Sequence, residues 1–393
     1  MRRLRRTFQF RWLVALIVAL TIAPGSLPAQ QAASGSPISL ASPLDYQVFQ
    51  RRSRLQGRIE IGGRAQLPAD RVEVRLTGDS LSGPLPSQWK RIRFDSKSGA
   101  FHASLSAPAG GFYRLQVRLL RNGLSAAEAS VAHVGIGEVF VIAGQSNSTN
   151  YGEVRQNTAT GMVTAFDGST WRIANDPQPG VQDHSSKGSF IPAFGDALYR
   201  QYHVPIGVAC VGHGSTSVRQ WLPAGRRVYV MPTMTKFIVQ NAQGKLVSDG
   251  TLFNGMIARM RQLGKHGFRA VLWHQGESDA NQAPQHQLAA SQYRQMMVEL
   301  IQATRKAAGW KMPWLVAEAT YHNPSDTGSP AIELAQRSLW QSSVAFQGPD
   351  TDALGSAYRQ NHGKGVHFSD AGLKAHGALW AQAVENYLDK ALH

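Results

Sequence analysis

The chain has 393 residues, of which 42% are hydrophobic and 17% are charged, and its formal net charge is +16. This composition excludes a disordered chain and predicts one large or two ordinary globular domains with a sizeable core. The single cysteine, Cys210, excludes an intramolecular disulfide, and its apolar neighbours predict a buried side chain. No basic run is interleaved with aromatic residues, which argues against a nucleic-acid partner. The charge favours a solvated basic surface, with acidic glycans or an anionic envelope as the alternative.

Residues 1–30 have the layout of a secretory signal peptide. The basic segment MRRLRRTFQFR precedes the apolar run WLVALIVALTIA, and small residues follow in PGSLPAQQA. The apolar run is short for a membrane span of about 20 residues, so cleavage is favoured over an uncleaved N-terminal anchor. We therefore predict an exported protein, periplasmic or secreted, with no stable membrane span after cleavage.

Residues 31–43 are rich in small residues and predict a linker, and residues 44–135 predict an all-β domain. Polar and apolar residues alternate there in the segments RLQGRIEIGG, RVEVRLTG, KRIRFD, GAFHASLSAP and GFYRLQVRLL. Alternation gives a strand one wet and one buried face, and the regular spacing of these segments predicts a small β-sandwich.

The pattern changes after Gly137, where short apolar runs begin to alternate with longer segments of helical periodicity. The runs occupy residues 139–143, 206–211, 270–274 and 314–319. Strands that are apolar on both sides belong in a parallel sheet covered by helices. Residues 136–393 therefore predict a doubly wound α/β domain, whose last helix has Ser369 or Asp370 as its N-cap.

Ligands of such sheets bind beyond the carboxyl ends of the strands, and the loops expected there carry polar residues. The loop GQSNS presents Ser146 shortly after Gly144, in an incomplete form of the nucleophile elbow that is also ordinary turn chemistry. The loop GHGSTSVRQW has two glycines, whose N–H groups could face a developing oxyanion or could form a plain turn.

Two further loops could supply acid and base groups. WHQGESDA contains Gln275, Glu277 and Asp279, and its carboxylates could serve acid/base work on a glycoside or begin a helix. NHGKGVHFSDAG contains His362 and His367, but no motif supports a metal site there. Together the loops supply a serine, an acid, a base and oxyanion donors at one edge of the sheet, which is the inventory for nucleophilic acyl transfer.

The segments VGIGEVFVIAGQSNS, GSTSVRQW, LFNGMI, AVLWHQGESDA and GVHFSDAG together resemble the sialate O-acetylesterase-like branch of the SGNH hydrolases. The resemblance covers about residues 135–388 and implies a flavodoxin-like SGNH hydrolase domain that removes O-acetyl groups from a carbohydrate. It implies Ser146 as nucleophile and His367 as general base, with no metal or organic cofactor. It also implies an oxyanion hole made by the N–H groups of Ser146 and Gly214 and the side chain of Gln275.

The sequence departs from the family pattern where the family usually has the aspartate of its triad, because that position is Lys364. A lysine cannot stabilise an imidazolium ring. In some relatives the glutamate of HQGE is the acid partner of the histidine, so the resemblance implies Glu277 in that role, with Asp370 or Asp352 as the alternatives. The other departures are Ser148 for a frequent methionine, Ser215 for the second glycine of GGTS, and Asp279 for a common asparagine.

Candidate sugar contacts are the polar and aromatic loop residues His213, Arg219, Trp221, Trp273 and Tyr321, for each of which ordinary loop packing is the alternative. Two other functions stay open. One is an acetyltransferase that uses the same nucleophile and passes the acetyl group to a sugar acceptor. The other is a glycan-binding protein that kept the fold and lost its triad at Lys364.

Overall fold

The structure, a computed structural model, describes residues 36–392. The predicted signal peptide and residues 31–35 of the predicted linker lie outside the described residues. Within residues 36–392, no helix combines the length and the apolar character needed to cross a membrane.

The first part of the described chain consists of β-strands. They are β1 Ile38–Ser42, β2 Gln47–Gln50, β3 Gln56–Ala65, β4 Arg71–Thr77, β5 Asp79–Ser80, β6 Gly83–Pro84, β7 Lys90–Phe94, β8 Ala100–Pro108, β9 Gly110–Arg121 and β10 Leu124–Gly144. Strands β3, β4, β7, β8 and β9 confirm the five alternating segments. Residues 38–42 of the predicted linker instead form strand β1, which pairs antiparallel with β3. The side chain of Ile38 lies in the hydrophobic core and holds this strand in place.

Alternate side chains of β3, β4 and β9 are fully or almost fully buried in one apolar cluster, as the period-2 pattern predicts. The description of these strands as a separate β-sandwich domain stays a prediction. Strand β10 pairs antiparallel with β9 at its start and parallel with other strands at its end, so it runs through the predicted boundary after residue 135 without a break.

The second part alternates strands and helices. Its strands are β11 Val163–Phe166, β12 Trp171–Ile173, β13 Ile206–Cys210, β14 Ile238–Gln240, β15 Leu246–Ser248, β16 Ala270–His274, β17 Trp314–Glu318 and β18 Phe346–Asp350. Its helices are α1 Ile191–Tyr202, α2 Thr251–Leu263, α3 Glu277–Ala280, α4 Ala290–Ala308, α5 Pro330–Gln341 and α6 Asp370–Ala391. The four apolar runs correspond to the end of β10 and to β13, β16 and β17. Ser369 is the N-cap of α6, since its side chain accepts a hydrogen bond from the Gly372 N–H.

Strands of the second part form a parallel sheet in the spatial order β11-β13-β10-β16-β17-β18. Helices α1 and α6 cover one face, where Phe140 and Ile142 point, and α2, α4 and α5 cover the other, where Val139 and Val141 point. Helices on both faces explain why the strands are apolar throughout. The predicted mixed α/β architecture is confirmed. The strand order reverses beside β10, so a ligand-binding crevice is expected at the carboxyl ends of β10 and β16.

A buried ion cluster joins the first strands to the parallel sheet. Glu138 is fully buried in β10, and its carboxylate accepts hydrogen bonds from Arg51 at 2.7 Å and from Arg269 at 2.7 Å and 2.9 Å. Arg51 comes directly after β2, and Arg269 comes directly before β16. The cluster therefore fixes the base of the sheet, at the end opposite the candidate site.

We expect Glu138→Ala to lower the free energy of unfolding by about 3–5 kcal/mol, because two largely buried guanidinium groups lose their counter-charge. Urea denaturation followed by circular dichroism measures the change. Glu73→Ala is the matched control: Glu73 pairs with Arg118 on a partly exposed sheet face, where an ion pair contributes about 0–1 kcal/mol. Equal losses in the two variants would contradict this expectation.

Candidate active site

Gly144 ends β10 in a turn that only glycine fits. Its φ is +128°, and a Cβ added there would lie 2.0 Å from the carbonyl oxygen of His274, at the end of the neighbouring strand. The next N–H, of Gln145, donates to that same carbonyl at 2.9 Å. The two strand ends are therefore held together, and the residues that follow them meet in one place.

Ser146 begins a short 3-10 helix that ends at Ser148, and its side chain is almost fully buried. Its carbonyl accepts hydrogen bonds from the N–H and the hydroxyl of Thr149. Within residues 36–392 its own hydroxyl and N–H have no hydrogen-bond partner that would occupy them. The turn is thus fixed through backbone groups, and the Ser146 hydroxyl takes no part in holding it.

Glu277 starts α3 immediately beyond β16 and lies in the interior, 3% exposed. Its Oε1 accepts hydrogen bonds from Asn147 Nδ2 at 2.8 Å and from His274 Nε2 at 2.9 Å. Burial alone would raise the pKa of the Glu277 carboxyl, but the attraction of His274 and these hydrogen bonds lower it below its usual value. Glu277 is therefore ionised at neutral pH, and its buried Oε2 has no partner within the described residues.

Two buried histidines, His274 and His376, lie behind Glu277. The Trp380 indole can only donate, so His376 Nε2 accepts from it at 3.1 Å and carries no proton. His274 Nδ1 lies 3.1 Å from the same Nε2, and His274 Nε2 donates to the ionised Glu277 at 2.9 Å. Full burial lowers the pKa of His376 well below its usual value, in agreement with a neutral ring. His274 thus links the carboxylate of Glu277 to the buried pair of His376 and Trp380.

His367 lies in the loop before α6, next to Val366, whose carbonyl is 3.4 Å from the side-chain amide of Asn147. Its ring stacks on Tyr151 at 5.0 Å between centroids, and its Nδ1 lies 2.9 Å from Gln360 Nε2. Burial lowers the pKa of His367 to about 4, although the charge of Glu277 opposes this shift. The ring is therefore neutral at pH 7, as a general base must be.

Asn147 connects the three candidate catalytic residues. It follows Ser146 directly, and its side-chain amide donates to Glu277 and, at 3.4 Å, to the carbonyl of Val366, the residue before His367. The structure thus brings the Ser146, Glu277 and His367 segments together. It does not place a hydrogen bond between Glu277 and the His367 ring.

The two alternative acids have other partners. Asp370 is half-exposed at the start of α6, where it accepts hydrogen bonds from Gln156 and Lys374. Asp352 accepts from the N–H groups of Thr320 and Tyr321 and holds the turn after β17. Neither carboxylate bonds to His367, so neither fits the role of its acid partner in this structure.

Two of the three predicted oxyanion donors, Gly214 and Gln275, already donate to protein acceptors in the structure. Gln275 is fully buried, and its amide nitrogen donates to Asp279 at 2.7 Å and to the carbonyl of Thr216 at 3.2 Å, so it does not face the crevice. The N–H of Gly214 donates to the carboxylate of Asp183 at 2.6 Å. Of the three predicted donors, only the N–H of Ser146 has no such acceptor within residues 36–392.

Three of the predicted sugar contacts belong to the core, because they are fully buried: Arg219, Trp221 and Trp273. The guanidinium group of Arg219 pairs with Asp279, and the Trp221 indole donates to Thr216. Tyr321 is also buried, beneath Arg359. Only His213 is partly exposed, so it is the one that a sugar could touch without rearrangement.

Arg359 is a further residue of the candidate site, next to the loop of His367, and the sequence did not predict it. Its guanidinium group is almost fully buried between the rings of Tyr321 and Phe368, and it donates to the carbonyls of Thr351, Leu354 and Val366. It therefore ties the loop before His367 to the end of the sheet. No local pattern marks it, because its partners are backbone groups. Asn147 and His274 could have been found, since both adjoin the quoted strand ends.

Comparisons with known proteins identify the family of the chain. The family model of the carbohydrate esterases described as sialic acid-specific acetylesterase matches residues 136–386, more than half of the chain. A carbohydrate acetylesterase from Xanthomonas citri is 17% identical, with a TM-score of 0.51 over 87% of this chain and 73% of that chain. A protein from Arabidopsis thaliana is 17% identical, with a TM-score of 0.44 over 64% of this chain and 98% of that chain.

At this identity, the likeness to the solved structures concerns the fold alone. The comparison with curated proteins gives no match. The family match rests on the segment that contains the parallel sheet and all the loops of the candidate site. The chain belongs to the sialic acid-specific acetylesterase family of carbohydrate esterases, and its activity is that of a carboxylic ester hydrolase acting on acetylated carbohydrate.

Proposed function

We propose that the protein is an exported serine esterase that removes O-acetyl groups from a carbohydrate through an acetyl-enzyme on Ser146. The observation that carries the proposal is the Asn147 bridge, which joins the turn of Ser146 to Glu277 and to the backbone next to His367. An SGNH-type domain is consistent with the order of the parallel strands. The layout of residues 1–30 supports export.

In the first half of the proposed reaction, the Ser146 hydroxyl oxygen attacks the acetyl carbonyl carbon, and His367 takes the hydroxyl proton. The tetrahedral intermediate then expels the sugar oxygen, to which His367 returns the proton. In the second half, His367 takes a proton from water while the water oxygen attacks the acetyl carbonyl carbon on Ser146. The tetrahedral intermediate then breaks its bond to the Ser146 oxygen, which receives the proton back from His367, and acetic acid leaves and ionises to acetate. The ionised Glu277 stabilises the imidazolium ring that forms in each half.

The N–H of Ser146 is the fixed oxyanion donor in this proposal. The N–H of Gly214 becomes the second donor when the substrate oxygen replaces the carboxylate of Asp183. Thr149 Oγ1 lies 3.2 Å from that carboxylate and 2.9 Å from the Ser146 carbonyl, so Asp183 adjoins the nucleophile turn.

A serine-reactive fluorophosphonate probe tests the proposal directly. We expect it to label purified protein at Ser146 and to block the release of acetate from a panel of acetylated glycans. Parallel reactions with and without added deacetylated glycan then separate hydrolysis from transfer to a sugar acceptor. A protein that releases no acetate and takes up no probe would be a glycan-binding protein, and the proposal would be abandoned.

We expect kcat/KM to stay constant from neutral pH down to about pH 5 and to fall as the pH drops through about 4. The sign follows from burial, which lowers the pKa of His367 to about 4, so that the ring protonates and stops acting as a base only below that value. Initial rates with p-nitrophenyl acetate measure the profile, and circular dichroism at each pH excludes unfolding. An acidic limb near 6.5, the value of a solvated histidine, would contradict a buried base.

A further inference from the structure

Lys364, at the position where the resemblance implies a triad aspartate, is exposed, and a different side chain contacts the ring of His367. That group is the side-chain amide of Gln360, 2.9 Å from His367 Nδ1. Nδ1 is the ring nitrogen that the triad acid contacts, while Nε2 is the one that exchanges the proton with serine.

The backbone holds Gln360 against the ring from two sides. The Gln360 N–H donates to the carbonyl of His367 at 2.9 Å, and the Gly365 N–H donates to the carbonyl of Gln360 at 3.1 Å. A Cβ on Gly365 would lie 2.5 Å from Cγ of Gln360, so only glycine leaves room for this side chain. Tyr151 stacks on His367 and restricts the tilt of the ring. The backbone and side-chain packing of the loop therefore hold the Gln360 amide in contact with the His367 imidazole.

The side-chain amide of Gln360 can form a hydrogen bond with either tautomer of His367. With its nitrogen on Nδ1, the amide donates, and the ring proton lies on Nε2, where it prevents the ring from accepting a proton from serine. Turned by 180°, the amide places its oxygen on Nδ1 and accepts from an Nδ1–H, which leaves the Nε2 lone pair free. Within residues 36–392 the amide has no second hydrogen-bond partner that opposes this turn. An imidazolium ring has a proton on both nitrogens and therefore selects the second orientation.

We propose that Gln360 is the positioning residue of the general base and that its amide oxygen accepts a hydrogen bond from His367 Nδ1–H during catalysis. This inference rests on the proposed function. In this proposal, two residues together perform the two functions of a triad aspartate. Gln360 holds the ring and its tautomer, and Glu277, which makes no hydrogen bond to the ring, stabilises the imidazolium through its charge.

Two substitutions of Gln360 test the inference. Gln360→Leu keeps the size and removes the acceptor, and we expect kcat for an acetyl ester to fall by about 10²-fold or more with KM changed less than about threefold. Gln360→Glu offers only acceptors and adds a negative charge next to the ring, which favours its protonated form. We expect Gln360→Glu to move the acidic limb of the kcat/KM profile up by about one pH unit or more and to keep kcat within about tenfold of the unmodified enzyme.

The control is Gln347→Leu, at an exposed position of strand β18. This substitution should leave the rates and the pH profile unchanged. Thermal melting of each variant reports its folding, and a merely structural glutamine would not shift the limb in Gln360→Glu. The inference is overturned if folded Gln360→Leu keeps kcat within about threefold, or if Gln360→Glu leaves the limb in place. Fluorophosphonate labelling of the unmodified enzyme separates the two proposals. If Ser146 is not labelled, the proposed function is wrong. If Ser146 is labelled and the Gln360 variants behave in either of these two ways, only the proposed role of Gln360 is wrong.

Discussion

Ser146→Ala should lower kcat for acetyl ester hydrolysis by about 10⁵-fold or more while the protein keeps its fold. Loss of the nucleophile removes the acetyl-enzyme route, and only binding and the oxyanion donor remain. Stability should be nearly unchanged, because Ser146 is held through its carbonyl, which alanine also has. Rates of p-nitrophenyl acetate hydrolysis and of acetate release from an acetylated glycan, together with thermal melting, measure the two effects.

Ser148→Ala is the matched control for this experiment. Ser148 lies in the same turn and is equally buried, but its hydroxyl donates to the carbonyl of Gln145 at 2.7 Å. We expect its loss to cost about 1 kcal/mol of stability and to leave kcat within about tenfold, the reverse of the Ser146 result. Purified Ser146→Ala protein that keeps more than about 1% of the activity would show that another group is the nucleophile.

The parallel sheet and the turn that carries Ser146 were predictable because they depend on local patterns. Apolar runs identified four strands of the parallel sheet, and Gly144 marked the turn before Ser146. Strand β18 was missed because its sequence, FQGPD, has neither the apolar run of a central strand nor regular alternation. As the edge of the sheet it is partly exposed, so burial places fewer demands on its composition.

The polar contacts of the site were less predictable because they depend on which way a side chain turns. Gln275 could have faced the crevice, but it turns inward because Asp279 is buried and accepts its amide hydrogen. The partner of His367 is Gln360, seven residues earlier in an irregular loop, where no helical or strand period relates the two. Residue types at the strand ends thus indicate the kind of chemistry, and packing decides which atoms take part.

Glu277→Gln should lower kcat/KM by about 10²- to 10⁴-fold, since it removes the negative charge that stabilises the imidazolium of His367. The fold should survive, because the amide oxygen of glutamine can still accept from Asn147 and His274. The charge of Glu277 raises the pKa of His367. Its removal should therefore move the acidic limb of kcat/KM to a lower pH, opposite to the shift expected for Gln360→Glu.

Asp370→Asn is the control for position and charge, because Asp370 lies three residues after His367 and binds Gln156 and Lys374 instead of the ring. Its rates should stay within about threefold of the unmodified enzyme, since a partly exposed charge is well screened. Melting temperatures show that both variants are folded. If Asp370→Asn lost activity and Glu277→Gln kept it, the acid of this site would be Asp370, and the buried charge of Glu277 would serve only to hold His274 and Asn147 in place.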